Sequence, residues 1–267
     1  MLLPERRGPQ CLEKAWGRRA LTEFQRGLVE PNSAKKRGHM STAASIITID
    51  GPSGVGKSSV SRRVAAELLY TYLDTGAMYR AVGLHFHRLG IAAADEKEIS
   101  PRLGDIEITL FPAATAQDDV GVVLNGEDVS REVRTPEMSM KASTISALPT
   151  VRGFLTGMQR KIAAGGKIVA EGRDMGTIVF PEARHKFFLE ADARERCKRR
   201  LQQLRQQGVE EDEEKILNMI LKRDKNDRER AVAPLKKADD ATLINTTALS
   251  LYQVVEKILR HIEEKGR

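Results

Sequence analysis

Gly51, Gly56, Lys57 and Ser58 stand in the spacing G-x-x-x-x-G-K-S, inside the stretch IITIDGPSGVGKSS from Ile46 to Ser59. The chemistry this spacing suits is the binding of a polyphosphate. Gly51, Gly54 and Gly56 lack a Cβ, so the turn can take positive φ and bring successive backbone N–H groups onto phosphate oxygens. A helix opening near Lys57 adds the positive end of its dipole at the same place. Lys57 would reach the β- and γ-phosphates of a triphosphate, and the Ser58 hydroxyl would ligate Mg²⁺. The candidate donor loop is therefore Gly51, Pro52, Ser53, Gly54, Val55, Gly56, Lys57, Ser58 and Ser59. Chance gives such a pattern in roughly one chain of this length in a hundred. The glycines miss the G-x-G-x-x-G spacing of dinucleotide folds.

A second group of residues is charged where apolar residues are expected. Between about Glu210 and Arg230, helical geometry places Ile216, Ile220, Arg223, Asp227 and Arg230 within a sector of about 80°. A stripe that begins as core thus continues as Arg, Asp, Arg. Buried charge is costly unless it is paired or meets an oppositely charged ligand. Phosphates and a ribose are such a ligand, since guanidinium forks pair with phosphate oxygens and a carboxylate accepts from sugar hydroxyls. The alternative is a helix that leaves the core and turns its charges to water. Arg173 and Asp174 follow the buried-type run Ile168-Val169-Ala170, at the strand edge where open parallel sheets bind ligands, or on a plain surface turn. Tyr79 and Arg80 lie one helical turn after Thr75, with the same two readings. One phosphate-binding loop accompanied by several separate arginines favours transfer between two phosphorylated nucleotides, because the phosphates of donor and acceptor must be neutralised together. His85, His87, His185 and His261 show no ligand spacing.

Short apolar runs alternating with helical stretches would position these groups, and that alternation predicts a parallel α/β sheet. Strand one ends at Asp50 and a helix follows to about Leu69. A strand at Tyr70 to Leu73 leads into a helix that Thr75 can cap and Gly90 ends. Residues 91 to 104 form a linker with a helical turn. Strands at Ile106 to Leu110 and Val120 to Leu124, with the turn signal Asn125-Gly126, predict a small antiparallel insertion. Helices are expected over Thr135 to Ala147 and Thr150 to Ala164, then strands at Lys167 to Glu171, Lys186 to Glu190 and Ala241 to Asn245. Asp192 and Glu195 have the spacing of a capping box. Ser250 and Gln253 can cap a last helix carrying the stripe Val254, Val255, Ile258, Leu259 and Ile262.

The 267 residues, 40% apolar and 30% charged, suit one sizeable soluble domain with insertions. No apolar run approaches the length of a membrane span. Cys11 and Cys197 form neither a disulfide framework nor a metal site, so a reducing, cytoplasmic setting is expected. Of the formal charge of +7, residues 1 to 38 supply most, with six arginines and three lysines against four glutamates. What remains suits a small anionic substrate better than nucleic acid. Residues 1 to about 44, with Trp16 and a possible start at Met40, read as a disordered extension; a basic docking tail is the alternative.

IDGPSGVGKSS, LDTGAMYRAV, LNGEDVS, Val151-Arg152, EGRDMGTIVFP and RDKNDRERAVAPL, in this order over residues 46 to about 264, resemble the bacterial cytidylate kinase family. The resemblance implies a P-loop NTPase-type parallel five-stranded sheet flanked by helices, within a kinase domain at 45–267. It also implies a monophosphate-binding insertion at about 75–165 and a mobile lid at about 195–232. The implied reaction is ATP plus CMP or dCMP giving ADP and the diphosphate, in a cytoplasmic monomer with no membrane or nucleic-acid partner. Other small-acceptor kinases of the uridylate or shikimate type, and a non-catalytic nucleotide switch, are the alternatives. Carried over motif by motif, Thr75, Ser143 and Arg152 would read the cytosine, and Arg223 and Asp227 would hold the sugar. Tyr79, Arg80, Arg173 and Arg230 would surround the acceptor phosphate, and Asp174 would orient the arginines near the base. Lys57, Arg173, Arg223 and Arg230 would carry the catalysis. Thr75 stands where the family often has serine, and Ser58-Ser59 where it often has Gly-Thr. Glu171 stands where aspartate is expected, as the candidate partner behind the magnesium ligand.

Overall fold

The computed structural model describes residues 45–113, 118–206 and 208–266. The expectations placed on residues 1 to 44, including Cys11, Trp16 and Met40, lie outside them. The chain alternates strands and helices as its apolar pattern requires: β1 (Ile46–Asp50), α1 (Lys57–Leu68), β2 (Thr71–Asp74), α2 (Thr75–Arg88) and the turn α3 (Glu96–Ile99). Three short strands follow, β3 (Ile108–Phe111), β4 (Gly121–Leu124) and β5 (Glu127–Asp128), then α4 (Pro136–Ile145) and α5 (Pro149–Ile162). The remainder is β6 (Ile168–Gly172), β7 (His185–Glu190), α6 (Ala193–Gln206), α7 (Glu213–Glu229), β8 (Thr242–Asn245) and α8 (Leu251–Gly266).

Five strands form one sheet in the order β2-β6-β1-β7-β8, and every pairing in it is parallel. All five residues of β1 are buried, because helices cover both faces of the sheet and leave no polar side for the strand. Alternate residues serve the two faces. Ile46, Leu73, Ile168 and Ala170 pack beneath α2 and the inserted helices, while Ile47, Ile49, Val169, Phe187 and Leu189 pack against α1 and α8. Burying each Val, Leu, Ile or Phe side chain among these stabilises the fold by about 2 kcal/mol. On α8, the predicted stripe has Val254, Val255 and Ile258 in that core, with Leu259 and Ile262 against it. Ser250 and Gln253 cap the helix reciprocally, by N–H to side-chain bonds of 2.8 and 3.3 Å.

Between β2 and β6 the second, antiparallel sheet, β3-β4-β5, interrupts the main one. Asn125 and Gly126 both take positive φ, 50° and 84°, as the two-residue hairpin between β4 and β5 demands. The pair α6 and α7 has its own small core of Cys197, Leu201, Leu204, Ile216 and Ile220, separate from both faces of the sheet.

Two capping expectations are corrected. Asp74, not Thr75, caps α2: its carboxylate accepts the Ala77 N–H at 2.8 Å, leaving the Thr75 hydroxyl to donate to the Glu171 carbonyl at 2.6 Å. No capping box forms at Asp192, because its N–H donates to Thr247 at 3.1 Å and Glu195 pairs with Arg199 instead. In both cases a residue from a neighbouring strand or loop outcompetes the local partner.

Candidate active site

The carboxyl edge of the sheet opens into a cleft of about 1380 Å³. It runs from residues 246–251 past the loop after β1 and on to α4, with α6 and α7 along one side. Seven of the nine donor-loop residues line it, from Ser53 to Ser59. Gly51 and Pro52 do not, since they build the turn behind it. A Cβ on Gly51, whose φ is 149°, would lie 2.3 Å from the Leu189 carbonyl oxygen, so only glycine lets the loop leave β1 against β7. Gly56, at φ 94°, begins α1 with no side-chain cap, which leaves the helix's first N–H groups for a ligand.

Lys57 is buried, and its ammonium donates to the Pro52 carbonyl of its own loop at 2.6 Å. Burial lowers its pKa, neighbouring Arg173 and Arg223 lower it further, and Glu171 and Asp227 pull it up. The Ser58 hydroxyl donates to Glu171 Oε1 at 2.8 Å. Asp50, at the end of β1, is turned away from this point. It accepts the N–H groups of Met175 and Gly176 at 2.9 and 2.8 Å, and burial pushes its pKa up to about 6 against those two bonds.

The other half of the cleft is made of side chains from five separate segments: α2, α4, α5, the loop after β6, and α7 with its end. Thr75, Tyr79, Arg80, Ser143, Arg152, Arg173, Asp174, Arg223, Asp227 and Arg230 all line it, so the structure brings together every residue singled out downstream of the loop. None of His85, His87, His185 and His261 does. Arg173 Nε donates to Asp227 at 2.8 Å. Burial alone would favour the neutral acid, but Arg173 and Arg223 hold Asp227 below the usual carboxylate range. Arg223 is pushed down to about 10 by burial and by Arg173, with Asp227 opposing. Asp174 is 2% exposed and bonds to Arg152, with Arg230 3.8 Å from its other oxygen. The Arg152 guanidinium lies 5.6 Å from the centre of the Tyr79 ring. Burial pushes the Tyr79 phenol up to about 12, so it stays a protonated donor at neutral pH.

This lattice carries more donors than acceptors. Arg80 Nε, Arg223 Nε and Arg230 Nη2 are buried without a hydrogen-bond partner. An anion with several oxygens would satisfy them, and a phosphate is such an anion.

The helical sector drawn on α7 missed one buried acid. Asp224 lies just outside that sector, is 3% exposed, and takes both arms of Arg196 from α6 at 2.6 and 3.1 Å. Arg196 also donates to the Ser53 carbonyl, and Arg223 to the Ser53 hydroxyl, so both helices grip the donor loop. Arg199 spans from Val55 to Thr246 and Thr247 in the same way. In the sequence Arg196 and Arg199 are two of the four arginines in ARERCKRR, and periodicity does not distinguish them. Ser146, which accepts from Arg230 at 3.3 Å and from Arg152 through its carbonyl at 3.0 Å, had no sequence signal at all.

A family model described as cytidylate kinase matches residues 47–264. A protein named cytidylate kinase from Syntrophotalea carbinolica is 49% identical over 220 residues, covering 82% of this chain and 92% of its own length. One of the same name from Carboxydothermus hydrogenoformans is 46% identical over 220 residues, covering 82% and 98%. Another from Vibrio cholerae is 42% identical over 226 residues, covering 85% and 99%.

Proposed function

Because this chain belongs to the cytidylate kinase family, we propose that its cleft transfers the γ-phosphate of ATP to CMP or dCMP, giving ADP and CDP or dCDP. The protein is a nucleoside monophosphate kinase. The observation that carries the reading is the cleft itself, in which an uncapped helix start with Lys57 and a lattice of arginines with unused donors share one space.

The donor triphosphate lies along Ser53 to Ser59, with its base toward Arg199 and residues 246–251, where the same cleft continues. Lys57 exchanges the Pro52 carbonyl for phosphate oxygens. Ser58 is the residue that holds Mg²⁺, with Glu171 behind it. The fit is supported by Glu171 Oε2, which is buried without a partner. No group of three or more His, Cys, Asp or Glu side chains that could hold a metal occurs among the described residues. When bound, Mg²⁺ neutralises charge on the transferred group.

At the acceptor end, Arg173 and Arg230, with Arg80 and Tyr79, hold the phosphate of CMP. Arg223 and Asp227 hold its sugar, and Thr75, Ser143 and Arg152 read the cytosine, with Asp174 fixing Arg152 and Arg230. The nucleophile is a phosphate oxygen already ionised near neutral pH, so no strong general base is required. Lys57, Arg173, Arg223 and Arg230 act by positioning and by stabilising charge in an in-line transfer. The segment at about 195–232, with a core of its own, is the lid that excludes water. The interruption at about 75–165 is the monophosphate-binding insertion. The same reading makes the enzyme a cytoplasmic monomer acting on free nucleotides, in keeping with the small net charge beyond residue 38. Among the described residues no helix is long and apolar enough to cross a membrane.

An ADP-release assay across CMP, dCMP, UMP, AMP, GMP and shikimate tests this. CMP or dCMP should give the highest kcat/KM. A best acceptor without cytosine overturns the assignment, and nucleotide binding without turnover of any acceptor would make the protein a switch.

A further inference from the structure

The mechanism above leaves Tyr72, a partly buried side chain close to the donor loop, without a role. Tyr72 OH donates to Glu171 Oε1 at 2.6 Å, the same oxygen that accepts from Ser58 at 2.8 Å. Glu171 Oε2 is buried with no partner. The register explains how these groups meet. β2 and β6 are parallel, with Tyr72 opposite Val169 and Asp74 opposite Glu171. Since side chains alternate along a strand, Tyr72, Asp74, Val169 and Glu171 share one face of the sheet. A phenol is long enough to run along that face to the carboxylate two residues further on.

We propose that Tyr72 is a positioning residue for the metal end of the donor site: it fixes Glu171, and through Glu171 the Ser58 hydroxyl, in the orientation that receives Mg²⁺. This rests on the reading of Ser58 as the magnesium ligand. A hydroxyl can donate its proton to one group while offering a lone pair to another. With its proton directed to Glu171 Oε1, Ser58 keeps its lone pairs for the ion. Glutamate has one more rotatable bond than aspartate, and a single hydrogen bond from Ser58 leaves its carboxylate free to swing. The Tyr72 hydroxyl removes that freedom by occupying the same oxygen, which leaves Oε2 for the ion or its water. A tyrosine that merely needed a buried partner would be satisfied by any carbonyl. It would not account for a carboxylate with both donors on one oxygen and none on the other.

The test uses Tyr72→Phe in the full chain, with ATP affinity measured by calorimetry in Mg²⁺ and in EDTA. The parent should bind ATP more tightly with Mg²⁺. In Tyr72→Phe the ratio of the two affinities should fall about tenfold, the usual scale for a partner one step behind a metal ligand. Affinity in EDTA and the KM for CMP should stay at parental values. Glu171→Gln, which keeps the volume, should lower the ratio similarly, and the double variant should add little to Glu171→Gln alone, since both act through one chain of bonds. An unchanged ratio in Tyr72→Phe, alongside a collapsed ratio in Ser58→Ala, overturns the role of Tyr72 and leaves Ser58 as the ligand. Equal weakening with and without Mg²⁺, or a KM for CMP that rises in step through β2 and Thr75, assigns Tyr72 to packing and also overturns it. A parent that shows no Mg²⁺ dependence overturns the magnesium reading itself.

Discussion

At the donor end of the cleft, the chain from Gly51 to Ser59 offers its main chain: turned amides, an uncapped helix start, and one ammonium resting on a carbonyl of the same loop. At the acceptor end, no continuous stretch does the work. Arg173 is held by Asp227 from 54 residues away, and Arg152 by Asp174 from 22. A backbone cradle is indifferent to what hangs from the phosphates, since N–H groups read only oxygen and charge. A lattice of paired side chains admits only a ligand whose oxygens can replace or share the partners already there. On the proposed function, discrimination between nucleotides would therefore fall to the acceptor end, and firm holding of phosphate to the donor end.

The largest test of that division is Arg173→Ala. Loss of one preorganised charge at a transferring group costs about a hundredfold or more in turnover. kcat/KM for CMP should fall by at least that much, while ATP affinity with Mg²⁺ changes little. Asp227 keeps Arg223 nearby as a counter-charge, so folding should survive the change. Near-normal turnover with CMP removes Arg173 from the mechanism, and an equal loss of ATP affinity would mean that the two ends are not separable.

Asp50 joins the ends physically. It closes β1, where the donor loop begins, and its carboxylate takes the amides of Met175 and Gly176, just after Arg173 and Asp174. Its pKa is raised from 3.8 to about 6, mainly by burial. Between those values the folded protein keeps a proton that the unfolded chain has released. The contribution of Asp50 to stability therefore falls as pH rises from about 4 to about 6.5, by about 3 kcal/mol, and is level above that. Asp50→Asn lacks this slope, so the stability of the parent relative to the variant should decline across the window in urea unfolding at pH 4, 5, 6 and 7. A constant difference would mean that the carboxylate is already ionised in the fold and holds the joint as an anion throughout.

The same contrast explains what could be read before the fold was known. A donor loop lies within nine residues, and its glycines, lysine and serine are rare together, so pattern alone locates it. The strands were legible because both faces are covered, which makes IITID and KIVAE apolar throughout or nearly so. Arg223, Asp227 and Arg230 were visible as charges on an apolar stripe, but whether they faced a ligand or water is a question of what lies across from α7. Asp224 and Arg196 were invisible for a related reason: each is buried only because the other is there, and no spacing within one helix reports a partner on the next. Caps failed at Thr75 and Asp192 where a strand or loop distant in sequence supplied the competing hydrogen bond.

Ser146 tests the acceptor lattice at its weakest bond. Its hydroxyl donates to the Ser143 carbonyl at 2.9 Å and accepts from Arg230 at 3.3 Å, and its own carbonyl holds Arg152. Ser146→Ala keeps the carbonyl and removes only the hydroxyl. Arg230 retains its 2.6 Å bond to the Ala233 carbonyl and its attraction to Asp174, so its guanidinium loses one of several restraints. A hydrogen bond of this length between a charged donor and a neutral acceptor contributes about 1 kcal/mol. The KM for CMP should therefore rise about threefold to fivefold, with kcat and the KM for ATP nearly unchanged. A comparable rise in the KM for ATP would show that loosening Arg230 reaches the donor loop, and the cleft would then have to be treated as a single lattice with the backbone cradle as one part of it.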